Sequence, residues 1–242
     1  MKIRCYLPSS EWEKRPVSVS GPEAHHLVNV LRVSPGMEVT CFDGRGREAL
    51  ARVQQVGKKG ILLELQGDKA IVPLAYQVDL GIAVPGHGIL DQIVNQSTQM
   101  GVARIIPLST SRVVVKMTPS EFAKKQNRLD KIIIEAGKQS GVSLLPSVAP
   151  LTSWPECLRL FGNYDVVLIG AVEGPHEDIK ELLSERKIRR VLLLIGPEGD
   201  FTLEEVAQAV QAGAHRISLG KTVLRCDTAV VAALSLISFF LR

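Results

Sequence analysis

The chain has 242 residues, 45% hydrophobic and 22% charged, with 29 Lys and Arg against 25 Asp and Glu for a formal charge of +4 and a pI near 8.9. That length holds one large domain or two smaller ones around a substantial core, and the composition excludes a disordered or fibrous chain. The mild basic excess suits a polyanionic partner without requiring one. Cys5, Cys41, Cys157 and Cys226 lie far apart, with no Cys-x-x-Cys and no nearby histidine pair. This argues against a metal site and a disulfide framework, and for a reducing, cytoplasmic setting. MKIRCYLPSSEWEK lacks the apolar run of a signal peptide, and Ala229–Leu241 is too short to span a bilayer, so no membrane partner is expected.

The first seventy or so residues read as mostly β. Met37–Phe42, Glu48–Val56 and Gly60–Leu65 are short, alternating or β-branched, and separated by glycine turns. One helix interrupts them: Ser20-Gly21-Pro22-Glu23 has the spacing of a capping box leading into AHHLVNVLR, and Ser34-Pro35-Gly36 stops it. The reading is a small barrel with a helix on its rim. From about Val72 strands alternate with helices, which implies an α/β fold with a largely parallel sheet covered on both faces. The strands are Gln77–Val84, Arg104–Leu108, Asp165–Ile169, Arg190–Ile195 and His215–Leu219. The helices are Ile89–Met100, Pro119–Lys138, Trp154–Phe161, Asp178–Ser184, Leu203–Ala212 and Asp227–Leu241. The boundary falls near Gly67–Leu74, giving domains 1–71 and 72–242.

The strand LLLI runs into the turn Gly196-Pro197-Glu198-Gly199, a glycine-rich turn with an acid and no lysine. Thr202 and Glu205 then form a capping box, with Phe201 and Val206 at hydrophobic-staple spacing. A helix start closed by its own side chains leaves little for phosphate, and neither G-x-G-x-x-G nor G-x-x-x-x-G-K-[ST] occurs. The turn is either a capped connection or the wall of a site for a ligand without phosphates. A second glycine loop, Ser218–Ala229, follows another strand, and such loops at strand C-termini are where open α/β sheets place ligands.

Together LLLIGPEGDFTLEE and SLGKTVLRCDTA resemble the two signature segments of the SPOUT class of knotted methyltransferases. They are most similar to the ribosomal RNA small subunit methyltransferase E family, whose usual pattern is close to IGPEGG(F/L) and LG.RILR.ETA. HHLVNVLRVSPGMEVTCFDGRG, IIPLSTSRVVVK and IIIEAGKQSG extend the resemblance over essentially the whole chain. It implies a PUA-like RNA-binding β-barrel followed by a trefoil-knotted α/β (SPOUT) domain with a parallel sheet. The cofactor implied is S-adenosylmethionine, walled by Ile195, Gly196, Pro197 and Gly199, by Leu219, Gly220 and Leu224, and by Ile169 and Gly170.

The reaction implied is methylation of N3 of a uridine, position 1498 in the usual bacterial numbering, in 16S rRNA of the small ribosomal subunit, by a homodimer. Arg225 matches the second arginine of the pattern and would steady the uracil anion, the alternative being a helix-start residue. Glu198 would orient the ligand or shift a proton, the alternative being a plain turn acid. His26, Arg32, Arg45, Arg47, Arg112 and Lys116 would grip RNA, and Gln139-Ser140 would line the substrate side. Departures are Pro85-Gly86-His87-Gly88 where lysines are usual, Lys138 in place of Glu, Thr222 in place of the first arginine, and Asp227 in place of Glu. They motivate the competing expectation, a weakly active or inactive RNA-binding ribosome-assembly factor of the same fold.

Overall fold

The structure is a computed structural model describing residues 3–58, 60–86, 88–184 and 187–241. It divides into two compact units. The first runs to Pro73 and also takes in Ile134–Leu145; the second holds Leu74–Ile133 and the chain from Pro146 onward. A boundary at residue 71 does not foresee the excursion at 134–145.

The first unit is built on strands β1 (Arg4–Tyr6), β2 (Val17–Val19), β3 (Glu38–Phe42), β4 (Arg47–Gly57) and β5 (Gly60–Ala70), in the order β1-β3-β4-β5-β2. Pairing is antiparallel except for β1 on β3. Register shifts in the β4–β5 ladder at Glu48/Leu50 and Val53/Gln55 bend it as bulges do, so the sheet curls into a half-barrel. Its concave face closes over Trp12, Leu27, Val39, Ala51 and Leu63, all at most 1% exposed. The helix predicted from Ser20 is one short α-helix, α1 (Gly21–His25), running into a single π turn, His26–Val30, closed by Leu31 N–H to His26 O at 3.0 Å. Arg32 then ends it in the left-handed region at φ 53°.

The capping box expected at Ser20 does not form. Glu23 is occupied elsewhere. Its Oε1 accepts from Tyr6 N at 3.0 Å and its Oε2 from Lys138 Nζ at 2.8 Å. Lys138 is 8% exposed and also meets Glu135 at 2.6 Å. Burial alone would lower its pKa, but the hydrogen bonds it donates to Glu135 and Glu23, with the charges of those two carboxylates, outweigh that and raise it above the ordinary lysine value. The lysine at this position is therefore the buried cation that pairs with a half-buried glutamate of the same unit.

The second unit contains β6 (Gln77–Ala83), α2 (Ile89–Gln99), β7 (Arg104–Ser109), α3 (Pro119–Ala123), most of α4 (Gln126–Ser140), β8 (Ser147–Val148), β9 (Thr152–Ser153), α5 (Trp154–Arg159), β10 (Val166–Gly170), α6 (Ile179–Ser184), β11 (Arg190–Ile195), α7 (Leu203–Gln211), β12 (His215–Ile217) and α8 (Cys226–Phe240). All sheet pairs are parallel, in the order β12-β10-β11-β6-β7-β8, with β9 also on β7. Strands buried on both faces explain the unbroken runs of Val, Leu and Ile: Val191 to Leu194 are 0% exposed. The single helix expected at Pro119–Lys138 is two, because a turn with Lys125 N–H on Phe122 O (2.9 Å) buries Phe122 before α4 begins. Strands β8 and β9, two residues each, are too short for a pattern to reveal. Among the described residues, no helix is long and apolar enough to cross a membrane.

Replacing Lys138 by Met leaves half-buried Glu23 without its cation, and we expect a loss of about 1 kcal/mol in urea denaturation. Adding Glu23→Gln, which keeps an acceptor for Tyr6 N, recovers most of it.

Candidate functional site

The register of the sheet sets the site. Ile169 pairs with Leu194 and Gly170 with Ile217, so β10, β11 and β12 end side by side, and their following loops surround one cavity of about 740 Å³, partly open to solvent. It lies beyond the C-terminal edge of the sheet, beside the β11–β6 pair at which the chain order reverses, the place where open α/β sheets hold ligands.

The walls come from three loops. Gly170, Ala171 and Val172 follow β10; Ile195 to Glu198 and Asp200 follow β11; Ile217 to Leu224, then Cys226 and Ala229, follow β12 and enter α8. Gly196 must be bare, since a Cβ there would meet Phe201 N at 2.9 Å and Asp200 Oδ1 at 3.0 Å. Gly220 is required for a different reason. It has open space around it but sits at φ 129°, where side chains are strained.

Side chains hold the Gly-Pro-Glu-Gly turn on every side. Glu198 Oε1 accepts from Gly86 N at 3.0 Å, and Arg112 Nη1 donates to Gly199 O at 2.8 Å and to Phe201 O at 3.4 Å. Beyond the turn the second capping box is complete: Thr202 N donates to Glu205 Oε2 at 2.9 Å and Glu205 N to Thr202 Oγ1 at 3.1 Å. Glu205 Oε1 also accepts from Ser111 N at 2.8 Å. Phe201 and Val206, the expected staple, are both buried in one core cluster, with the Phe201 ring 5.1 Å from that of Trp154. Two similar boxes, Thr118 with Glu121 and Ser153 with Glu156, start α3 and α5. Both carry the same Ser/Thr-x-x-Glu spacing.

Of the residues expected to hold a cofactor, Gly170, Ile195, Gly196, Pro197, Leu219, Gly220 and Leu224 line the cavity. Ile169 is 0% exposed in the core behind it, and Gly199 packs on the Arg112 side chain. Glu198 lines the cavity, whereas Arg225 stands at its edge as the residue before α8, its side chain 73% exposed and its Nε 3.6 Å from Asp227 Oδ1. Lining residues not anticipated include Ala171, Val172, Asp200 and Val223; the exposed apolar Val172 and Val223 offered no pattern of their own.

Among residues expected to grip RNA, Arg45 is exposed on a turn whose backbone is tied down by Asp43, with Oδ1 accepting from Arg45 N at 2.7 Å and Arg47 N at 3.0 Å. Arg32 and Lys116 are exposed, and no ion pair among the described residues engages them. His26 and Arg47 are half-buried. Arg47 reaches Asp68 at 2.5 Å and Glu13 at 3.4 Å and lies over the Trp12 ring. Gln139 and Ser140 are exposed at the end of α4, with Ser140 Oγ turned back onto Ala136 O at 2.8 Å. His87 lies outside the described residues.

The cavity is short of phosphate-binding chemistry. Lys221 is the one basic residue among those lining it, set against Glu198 and Asp200, and the Phe201 amide next to Asp200 already bonds to that side chain. Backbone edges, apolar walls and excess acid suit a ligand with a flat heterocycle and positive charge, and S-adenosylmethionine, with its adenosine, sulfonium and ammonium, fits that description. No group of three or more His, Cys, Asp or Glu among the described residues could hold a metal ion.

The fold and cavity define a class, the α/β RNA methyltransferases with an N-terminal RNA-binding unit. Residues 72–238 match the RNA methyltransferase domain family and residues 19–66 the RNA methyltransferase PUA domain. The chain belongs to the ribosomal RNA small subunit methyltransferase E family. It is 30% identical to the protein of that name from Synechocystis over 100% of this chain and 79% of the relative. To the one from Bacillus subtilis it is 29% identical, over 96% and 94%. The crystal structure of the Neisseria gonorrhoeae ribosomal RNA small subunit methyltransferase E bound to S-adenosylmethionine superposes with a TM-score of 0.86 at 28% identity, covering 99% of this chain and 98% of that one.

Cys226 at the cavity reports on it directly. Burial, then the Glu198 charge, raise its thiol pKa, so little thiolate is present near neutrality. At about pH 8 a thiol reagent should label Cys226 far more slowly than free cysteine, with a rate that climbs as pH rises and falls when the cavity is filled, read by mass spectrometry.

Proposed function

We propose that this protein transfers a methyl group from S-adenosylmethionine to N3 of a uridine in 16S rRNA of the small ribosomal subunit, acting as a cytoplasmic homodimer without a metal. The observation that carries the proposal is the cavity at the ends of β10, β11 and β12, acidic and poor in phosphate donors, in a chain of this family. The trefoil knot expected from the resemblance is part of the same proposal.

S-adenosylmethionine, when bound, supplies an already activated methyl group on its sulfonium. The chain then has two tasks, to align the acceptor and to arrange the loss of a proton from N3. That nitrogen lies on the pairing edge, so the uridine must be unpaired or turned out of its helix. Arg225, exposed at the cavity edge, would neutralise charge developing on the uracil carbonyls, with Asp227 restraining its guanidinium. Glu198, anchored through Oε1 on Gly86 N, keeps Oε2 to orient the ligand or accept the proton. Arg32, Arg45 and Lys116, with His26, Arg47, Arg112, Gln139 and Ser140, would contact the RNA. The exposed Phe239 of α8 is available to a second copy, and a monomer by gel filtration and scattering at micromolar concentration would remove the homodimer from the proposal.

Incubation with labelled S-adenosylmethionine and unmethylated small subunits should place 3-methyluridine at one site, mapped by digestion and mass spectrometry. Arg225→Ala should lower kcat by on the order of a hundredfold while leaving cofactor affinity nearly unchanged. Binding of cofactor and subunit without methyl transfer would instead favour the RNA-binding assembly factor. In a second measurement, subunit affinity should fall steeply with salt, and Arg45→Ala should reduce the slope of log affinity against log salt by about one.

A further inference from the structure

We infer that Asp200 is a positioning residue of the cavity, one that sets the spacing between two of its walls before ligand arrives; the inference rests on the S-adenosylmethionine reading above. Where the family pattern has a second glycine after Gly-Pro-Glu-Gly, this chain has an aspartate in the left-handed region at φ 59°. Glycine adopts that backbone without strain and aspartate does so at a cost, tolerable because its short carboxylate can bond locally. Asp200 is only half-buried, so core packing does not explain its presence.

Its two oxygens do. Oδ1 accepts from Phe201 N at 2.7 Å, pinning the backbone just after the turn, and rests 3.0 Å from where a Gly196 Cβ would stand. Oδ2 accepts from Val172 N at 3.0 Å, across in the loop after β10. The backbone ladder between β10 and β11 has its last pair at Ile169 and Leu194. Beyond that level the two chains separate around the cavity, and the carboxylate carries the connection on. Val172 and Asp200 both line the cavity, so the bond joins one wall to the next. A glycine at position 200 would leave that distance to be fixed by the ligand, at an entropic cost taken from affinity. The effect belongs to binding and not to methyl transfer, since neither oxygen is needed at the reacting atoms.

The test compares wild type, Asp200→Gly and Asp200→Asn by calorimetric titration with S-adenosylmethionine and S-adenosylhomocysteine, hydrogen exchange at the Val172 amide without ligand, and steady-state kinetics. Asp200→Gly should weaken both ligands about tenfold, equivalent to about 1.4 kcal/mol. It should speed Val172 exchange and raise the cofactor KM with kcat unchanged, without lowering the melting temperature. Asp200→Asn tolerates the same backbone but has one acceptor for the two N–H donors of Phe201 and Val172, so its affinity should fall between those of wild type and Asp200→Gly. Equal ligand affinity in wild type and Asp200→Gly overturns the inference and leaves the proposed function standing. A parallel fall in kcat and melting temperature overturns it too, by showing a general structural role. Failure of wild type to bind either ligand overturns the proposed function and this inference with it.

Discussion

The pairing of β10 with β11 is the constraint on which the rest of the site depends. Their parallel register brings Gly170 and the Ile195-Gly196 step to the same edge of the sheet, and β12 joins on the far side of β10. Three loops must therefore leave the sheet together. β10 and β11 are buried on both faces, so a slip of their register would displace Val, Leu and Ile from a packed interior on either side, and their shared edge is as firmly placed as the core itself. A cavity at that edge inherits the stability of the sheet without needing a rigid loop of its own.

What the loops add is a set of ties that use side chains for connections the backbone cannot make. Glu198 reaches Gly86, Arg112 reaches Gly199, and Glu205 serves both Thr202 and Ser111. Several of these are charged groups bonded to backbone amides or carbonyls, stronger than neutral pairs. The first unit follows a similar logic, since Asp43 fixes the turn that displays Arg45, and Lys138 neutralises Glu23.

Much of this could be read from residues. The strand–turn–cap series from Leu192 to Val206 is local chemistry, and its box and staple form as the spacing required. The Ser20–Glu23 box has the same spacing and fails, because Glu23 meets partners 17 and 115 residues away in sequence. A local motif holds only when no distant group competes for its side chain. The same limit hid the contacts of Lys138 with Glu23 and of Arg112 with Gly199, which a sequence reads as a missing acid and an RNA-gripping arginine. The π turn after His25 and the break at Lys124–Lys125 are equally illegible, as neither carries a glycine or proline to mark it. The signature segments, by contrast, identified the family because their glycines and acids are constrained by one cavity.

A nucleoside-binding cavity in a cell faces a crowd of adenine nucleotides, each sharing most of its surface with the intended ligand. Binding the adenosine more tightly cannot solve that problem, because the rivals would gain equally. The turn after β11 offers another solution. With Lys221 the one basic residue among those lining the cavity, and the Phe201 amide already bonded to Asp200, a triphosphate entering beside Glu198 and Asp200 would surrender its hydration and find few donors in return. The acidic wall thus acts as a filter, selecting a ligand by withholding what its competitors need.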